Sequence, residues 1–164
     1  MIVAKFVQKV SDTLDRALTV VTVALLGAIT VITFAQIIFR AFFSALIWSE
    51  EAARYMLVWM TFLGAGCVHK RSGHIAVALL HSLVPGVSKK FFQVLTHLVC
   101  VAVFAVMIYY GVNYVQVTSA QLSAAMRIPM RYIYMAIPLS GAVMMLHTVS
   151  HILRICTDKE AQSR

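Results

Sequence analysis

The placement of charged residues constrains this chain more than any other feature of its sequence. Residues 17–39 form a stretch of 23 residues without Asp, Glu, Lys or Arg. As an α-helix this stretch is about 35 Å long, enough to cross the hydrocarbon core of a bilayer, which is about 30 Å thick. Further uncharged stretches occupy residues 55–69, 91–126 and 132–153. This pattern predicts membrane-spanning helices separated by short charged connections.

The composition supports this interpretation and excludes several other classes of protein. The chain is 61% hydrophobic and 12% charged, whereas a soluble domain is about 45–50% apolar and about 25% charged. A soluble fold of 164 residues cannot hide that much apolar surface from water. Disordered, collagen-like and coiled-coil chains are excluded as well. The three cysteines are widely spaced without a C-x-x-C motif, so neither a disulfide framework nor a structural zinc site is expected.

We therefore predict an all-α integral membrane protein with four transmembrane helices in a single membrane domain, residues 1–164. In chain order the expected segments are an interfacial helix at 1–16, spans at 17–39 and 49–69, a cytoplasmic connection with an amphipathic helix at 70–90, a third span at 91–114, a periplasmic connection at 115–131, a fourth span at 132–153 and a cytoplasmic tail at 154–164. Residues 55–69 alone are too short to span. The second helix is therefore expected to begin near Ser49, with charged residues at the membrane interface.

The two short interfacial helices are predicted from apolar periodicity. In residues 1–16, apolar side chains recur at helical spacing with Lys5, Lys9 and Asp12 between them, a pattern typical of a helix lying on a membrane surface. The connection at 70–90 shows a similar pattern. The apolar stretch that follows residue 16 is longer than the roughly 7–15 residues of a signal peptide, so a retained anchor is expected.

The distribution of basic residues predicts the orientation. Of the 14 Lys and Arg residues, ten fall on the side that holds both chain ends. The four on the other side are Arg40, Arg54, Arg127 and Arg131. Because Lys and Arg are enriched in cytoplasmic connections, both termini are predicted in the cytoplasm (N-in and C-in). The net charge of +8 then indicates contact with phospholipid headgroups rather than with nucleic acid.

The most informative polar group opens the second helix. Ser49 is expected to cap this helix, which places Glu50 and Glu51 at the positive end of its dipole. Arg54 follows at ion-pairing distance along the helix from both glutamates, and Arg40 ends the preceding span. One interpretation is a well-capped helix start among the headgroups. The other is a polar lock between helices, or a docking point for a partner on the periplasmic side.

Gly64 and Gly66 form a small-residue patch on the same helix. Such a patch lets another helix approach, either from a partner protein or within the bundle. The full set of candidate structural or partner-docking residues is Arg40, Trp48, Glu50, Glu51, Arg54, Trp59, Gly64, Gly66, His74, Arg127 and Arg131.

Histidines supply the main alternative function. His97 and His147 are expected at similar depth in the third and fourth spans, as two axial haem ligands would be. Interhelical hydrogen bonding is the other interpretation of these residues. The haem interpretation describes a membrane anchor of a respiratory enzyme. A free-standing small transporter is a third hypothesis, although carriers usually show repeats and interrupted helices around a midplane site. No catalytic residue and no metal ligand is expected.

Several strings, taken in order, resemble one known family. They are QIIFR at 36–40, WSEEAARY at 48–55, VWMTFLGA at 58–65, HI at 74–75, IPM at 128–130 and AIPL at 136–139. Together, over about residues 17–153, the chain resembles the small membrane subunit (the Q subunit, DctQ-like) of tripartite ATP-independent periplasmic (TRAP) transporters. The family often carries an acid shortly after the HI string. This chain has Val77 and Ala78 there, so a contact through that acid is not expected.

This resemblance implies a complex in the bacterial inner membrane that imports an organic acid, such as a C4-dicarboxylate or a sialic acid, with sodium. A periplasmic substrate-binding protein (the P subunit) captures the substrate, and a large membrane subunit (the M subunit) holds the substrate and sodium sites. The small subunit pairs with the large one as a scaffold. It is expected to have no cofactor of its own, because the partner subunit binds the sodium ions.

Overall fold

A computed structural model shows a helical bundle and confirms the all-α class. It describes the backbone of residues 2–83 and 88–162, and the side chains of residues 6–71 and 95–152. The helices are α1 (Ile2–Phe42), α2 (Ile47–Leu83), α3 (Ser88–Val117), the short α4 (Arg131–Tyr134) and α5 (Ala136–Gln162). Within the described ranges there is no strand, and an isolated bridge between Leu122 and Pro129 is the only β-type pairing.

The first helix is longer than the sequence pattern predicts. The expected interfacial helix at 1–16 and the expected span at 17–39 are parts of one helix, α1, with no break at residue 16. Its 41 residues correspond to about 62 Å. The physical reason is that this segment contains no proline, and Gly27 is its only glycine. Amphipathic periodicity changes along α1 without any residue that would end the helix.

The second helix shows the same difference. α2 begins at Ile47, two residues before the predicted start, and continues to Leu83 through the region where a separate amphipathic helix is expected. α3 extends the expected third span, 91–114, by three residues at each end. The tail expected at 154–164 is helical as far as Gln162.

The fourth expected span is split into α4 and α5 at Met135. The break has a local cause in Pro138. Because proline has no backbone N–H, the carbonyl of Tyr134 receives no helical hydrogen bond from position 138. The chain continues through bonds from Met135 N–H to Arg131 O (3.0 Å) and from Leu139 N–H to Met135 O (3.2 Å).

Three described helical segments are long and apolar enough to cross a membrane. They are Phe6–Phe42, Leu95–Val117 and Arg131–Ile152. The described part of α2 is not among them. Charged residues in the first turns of α2, together with glycines further along, lower its mean hydropathy.

The helices pack in a defined order. α1 packs along α2, α2 also packs on α5, and α3 packs chiefly on α5. The buried apolar residues are Ala52, Leu63, Cys67, Phe104, Ile133, Ala136, Val143 and Met144. Close approach of α3 and α5 depends on Gly111, where an added Cβ would lie 3.0 Å from Cδ of Pro138. Polar residues are also fully buried, among them Ser49, Ser140 and His147.

Candidate functional site

The bundle has two polar ends, which we name by their residues. The arginine end holds Arg40, Arg54, Arg127 and Arg131, together with the connections that follow α1 and α3. The terminal end is the opposite one, where Ser11 of α1 contacts His147 of α5. The sequence-predicted candidates lie mostly at the arginine end, which we treat as the candidate functional site.

Glu51 organises the arginine end. Its Oε1 accepts hydrogen bonds from the backbone N–H of Ala124 (3.0 Å) and from the Tyr55 hydroxyl (2.6 Å). Its Oε2 accepts from the backbone N–H groups of Ala125 (2.9 Å) and Met126 (2.7 Å). Three successive N–H groups directed at one anion form a nest, and hydrogen bonds to a carboxylate are roughly twice as strong as neutral ones. α2 and the connection after α3 are thus joined through one carboxylate.

That connection, residues 121–130, is a compact loop with its own hydrogen bonds. The N–H of Ser123 donates to Ile128 O (2.9 Å), and the N–H of Met130 donates to Gln121 O (2.9 Å). The Ile128 N–H in turn donates to Oγ of Ser123 (3.1 Å). We call this segment the 121–130 loop. Its shape is therefore set both internally and by Glu51.

Arg127 occupies an unusual backbone position in the 121–130 loop. Its φ is 53°, the only positive value among described residues other than glycine. Few residues other than glycine adopt this left-handed region, and asparagine and aspartate do so most readily. The Arg127 side chain is exposed.

The ion pairs expected between Arg54 and the two glutamates are not formed. In the described structure no carboxylate lies within ion-pairing distance of Arg54. The reason is that Glu51 faces the loop, while Glu50 accepts a hydrogen bond from Nε2 of Gln36 (3.0 Å). Ser49 is not the N-cap either. It lies inside the first turn of α2, where its buried hydroxyl donates to Leu46 O (2.7 Å).

The remaining residues of the arginine end lie at its surface. Arg40 is exposed in the last turn of α1, and Trp48 is exposed at the start of α2. The Arg131 guanidinium lies 4.8 Å from the ring centroid of Tyr132 and donates to its hydroxyl (2.9 Å). Trp59 is half-buried further along α2.

The two glycines of the predicted small-residue patch face helices of this chain. An added Cβ at Gly64 would lie 3.6 Å from Cγ2 of Thr22 in α1, and one at Gly66 would lie 3.3 Å from Cγ1 of Val143 in α5. This placement favours packing within the bundle over approach by a partner helix. The His74 side chain lies outside the described residues, as do those of Val77 and Ala78.

His97 and His147 each contact another residue of the bundle. The His97 ring lies against His151, with centroids 6.4 Å apart. The Nδ1 atom of His147 lies 2.8 Å from Oγ of Ser11, so this imidazole serves as a buried interhelical contact. Among the described side chains, no group of three or more His, Cys, Asp or Glu residues converges as a metal site would require.

A second polar cluster, at the terminal end, was missed by sequence reasoning. Nζ of Lys70 lies 2.6 Å from Oδ1 of Asp12, and the guanidinium of Arg71 lies 3.5 Å from Oδ2 of Asp15. These pairs fasten α2 to α1 beside a polar cavity of about 200 Å³. The sequence signal for these ion pairs is the spacing of the charges. Asp12 and Asp15 lie three residues apart on α1, and the adjacent Lys70 and Arg71 lie opposite them on α2. Reading α1 as two separate helices hides that match.

Comparison with known proteins identifies the chain's relatives. The sequence pattern of the family described as "Tripartite ATP-independent periplasmic transporters, DctQ component" matches residues 29–158. This match covers α2, α3 and α4 in full, most of α5 and the last 14 residues of α1.

Individual proteins are similar over shorter shares of their length. The chain is 27% identical to the sialic acid TRAP transporter permease protein SiaT of Haemophilus influenzae over 88% of this chain and 23% of SiaT. It is 32% identical to the C4-dicarboxylate TRAP transporter small permease protein DctQ of Vibrio cholerae over 52% of this chain and 37% of that protein. It is 24% identical to the isethionate TRAP transporter permease protein DctMQ of Oleidesulfovibrio alaskensis over 69% of this chain and 19% of the relative. The chain thus corresponds to only part of each of these relatives.

Proposed function

The chain belongs to the DctQ component family of tripartite ATP-independent periplasmic (TRAP) transporters, and we propose that it is the small scaffold subunit of a sodium-coupled TRAP transporter. In this role it pairs with a large membrane subunit that carries the substrate and the sodium ions. A periplasmic substrate-binding protein delivers the substrate. The relatives are named for sialic acid, C4-dicarboxylates and isethionate, so an organic acid is the substrate class we expect.

The observation that carries this proposal is the unburied apolar surface of α1 and α3. Only 6% of the residues in the most apolar part of α1 and 11% of those in α3 are buried within the chain, against 44% in the segment Arg131–Ile152. The exposed side chains include Val20, Val23, Val31, Phe34 and Ile37 on α1, and Leu98, Val103, Val106, Tyr109 and Tyr110 on α3. Apolar patches this large mark contact with lipid or with another protein. A subunit held in the membrane beside a larger bundle needs both kinds of contact.

The topology proposed with this function has four spans in the bacterial inner membrane and both termini in the cytoplasm. In this topology α2 crosses the membrane as the second span, which is supported by its packing between α1 and α5. The excess of Lys and Arg at the terminal end supports a cytoplasmic location for that end. The arginine end then faces the periplasm.

The positions of the acidic residues also fit a subunit that does not carry substrate. The described carboxylates lie at the two ends of the bundle, Asp12 and Asp15 at one and Glu50 and Glu51 at the other. Carrier sites for ions and substrates usually lie near the membrane midplane. We therefore assign sodium and substrate binding to the large subunit.

Gentle purification through a tag on this chain, from cells that also express the large subunit, tests the assignment. We expect the large subunit to co-purify, as identified by mass spectrometry. Liposomes that contain both membrane subunits should take up the organic acid when sodium and the loaded binding protein are added outside. Liposomes that contain only this chain should not.

Two results would favour other functions. Sodium-driven uptake by liposomes containing this chain alone would indicate a free-standing transporter. A Soret absorption band in the purified chain, lost on replacing His97 or His147, would indicate a haem-binding anchor. The orientation is checked separately by placing a single cysteine at Ser44, which should react with a membrane-impermeant thiol reagent from the periplasmic side only.

A further inference from the structure

We propose that Arg127, presented by the 121–130 loop and positioned by Glu51, is a central contact for an acidic surface on the substrate-binding protein. This inference rests on the proposed function, since it requires the assembled transporter. It goes further by assigning the docking contact to one loop and one side chain, and by giving Glu51 the role of a positioning residue.

The first step of the argument is that the loop is ordered without a partner. The Glu51 carboxylate holds three successive backbone N–H groups, those of Ala124, Ala125 and Met126, at 2.7–3.0 Å. Pairing across the loop closes it from the other side, between Leu122 and Pro129. A loop that is fixed in advance loses little conformational entropy when a partner binds, which favours affinity.

The second step concerns the backbone of Arg127. Its φ of 53° lies in the left-handed region, which glycine and asparagine adopt more readily than arginine does. Glycine or asparagine would therefore fit this backbone conformation with less strain than arginine does. Outliers of this kind cluster at binding and switch sites. We therefore assign the role of Arg127 to its guanidinium, which is exposed.

The third step is the charge of the surface. The arginine end has four arginines and two glutamates. Both carboxylates accept hydrogen bonds within the chain, Glu51 from four donors and Glu50 from Gln36. In the described structure none of the four arginines pairs with a carboxylate. The surface therefore keeps an excess of positive charge and its arginines have no ion-pair partner in the described structure, which is complementary to a protein surface rich in Asp and Glu.

Lipid headgroups are the other class of anion found at a membrane surface. Attraction to anionic lipid explains clusters of basic residues on the cytoplasmic side of membranes, but the arginine end faces the opposite side in the proposed topology. Headgroups are also mobile and need no fixed loop. Preorganisation by Glu51 therefore favours a protein partner.

The test uses the complex of this chain with the large subunit, in lipid nanodiscs, and the purified substrate-binding protein of the same transporter. Its dissociation constant is measured at low salt and near 0.15 M salt for wild type, Arg127→Asn and Arg127→Glu. Asparagine tolerates the left-handed backbone, so Arg127→Asn removes the charge while keeping the loop. We expect binding to weaken about tenfold in Arg127→Asn and more in Arg127→Glu, with a smaller salt dependence in both. Arg16→Gln, which removes a charge at the terminal end, is the matched control and should bind as wild type does.

Glu51→Gln separates positioning from simple electrostatics. Removing a negative charge should strengthen attraction to an acidic partner if charge alone matters. Because the glutamine amide brings N–H donors toward the loop's own N–H groups, the loop should instead loosen and binding should weaken severalfold. Glu50→Gln removes the same charge at the arginine end but keeps an oxygen that accepts from Gln36, so its loss of charge alone should make binding slightly tighter.

The outcomes distinguish the two levels of the proposal. If the large subunit co-purifies with every variant and the dissociation constants do not change, the docking contact is wrong while the scaffold function stands. If wild type does not assemble with the large subunit, the scaffold function fails and the docking proposal fails with it. The last outcome concerns lipid. If anionic lipid in the nanodiscs weakens binding of the substrate-binding protein as much as Arg127→Glu does, and Glu51→Gln has no effect, the arginines contact headgroups. That result would overturn the protein contact.

Discussion

Oγ of Ser11 and Nδ1 of His147 lie 2.8 Å apart, although 136 residues separate them in the sequence. Both side chains are buried, at 2% and 0% exposure. The contact fastens the first turns of α1 to α5 at the terminal end. Nε2 of His147 is buried without a hydrogen-bond partner among the described atoms, so the contact with Ser11 satisfies only Nδ1 of this imidazole.

Replacing Ser11 with alanine should therefore destabilise the bundle. The buried Nδ1 of His147 would lose its partner, and an unsatisfied buried polar group costs about 1–3 kcal/mol. We expect a lower Tm for Ser11→Ala in detergent, measured by tryptophan fluorescence. Thr13→Ala is the control, because Thr13 is exposed and its hydroxyl donates only to Lys9 O in the same helix.

A double variant tests whether the effect belongs to this pair. Replacing both partners by apolar residues can be nearly neutral, so Ser11→Ala combined with His147→Leu should cost less than the sum of the two single changes. Strict additivity, or an equal Tm for Ser11→Ala and Thr13→Ala, would contradict the assigned contact.

Glu51→Gln should loosen the 121–130 loop without unfolding the helices. The amide nitrogen of glutamine cannot accept a hydrogen bond, so at least one of the N–H groups of Ala124, Ala125 and Met126 would lose its acceptor. We expect these amides to exchange with solvent on the order of tenfold faster, measured by hydrogen–deuterium exchange and mass spectrometry. Peptides from α3 should keep their protection. Exchange that rises equally along the whole chain would show instead that Glu51 stabilises the bundle globally.

The fold was predictable from the sequence to the level of helices and their order, because uncharged stretches of membrane length have few alternatives. Their boundaries were not. The expected ends at residues 16 and 69 rest on charged residues that interrupt the apolar stretches, and such an interruption does not end a helix unless a proline, a glycine or a cap accompanies it. Pro138 is the opposite case, since its missing N–H accounts for the turn at Met135.

Residues of the candidate site could be proposed from the sequence, but their contacts could not. Spacing along α2 favours a pair between Glu51 and Arg54, because local rules consider only neighbours on the same helix. The Glu51 carboxylate instead accepts hydrogen bonds from backbone N–H groups more than 70 residues away in sequence. No local rule reveals that the connection after α3 folds back over α2. The same limitation concealed the ion pairs between α1 and α2.

Packing between α3 and α5 should be sensitive to a single methyl group at Gly111. A Cβ at this position would lie 3.0 Å from Cδ and 3.1 Å from N of Pro138, and the proline ring cannot move aside. Overpacking of this kind costs about 1–3 kcal/mol, so Gly111→Ala should lower Tm. Gly27→Ala is the matched control, because nothing lies within 4 Å of its added Cβ. A Gly111→Ala protein as stable as Gly27→Ala would contradict the close approach of these two helices.

If Lys70 and Asp12 form an ion pair, exchanging their charges should recover stability that is lost when only one charge is reversed. Asp12→Lys places two cations at a contact that is 2.6 Å long in wild type, and it should lower Tm. Adding Lys70→Asp restores opposite charges and should recover part of the loss. Because the Asp12 side chain is 55% exposed, the effect should be below about 1 kcal/mol and should shrink at high salt. Arg16→Asp reverses a charge on the same helix where the described structure has no ion pair, so adding Lys70→Asp to it should give no recovery. A recovery that is equally large with Arg16→Asp would mean that net charge, rather than this contact between α1 and α2, sets the stability.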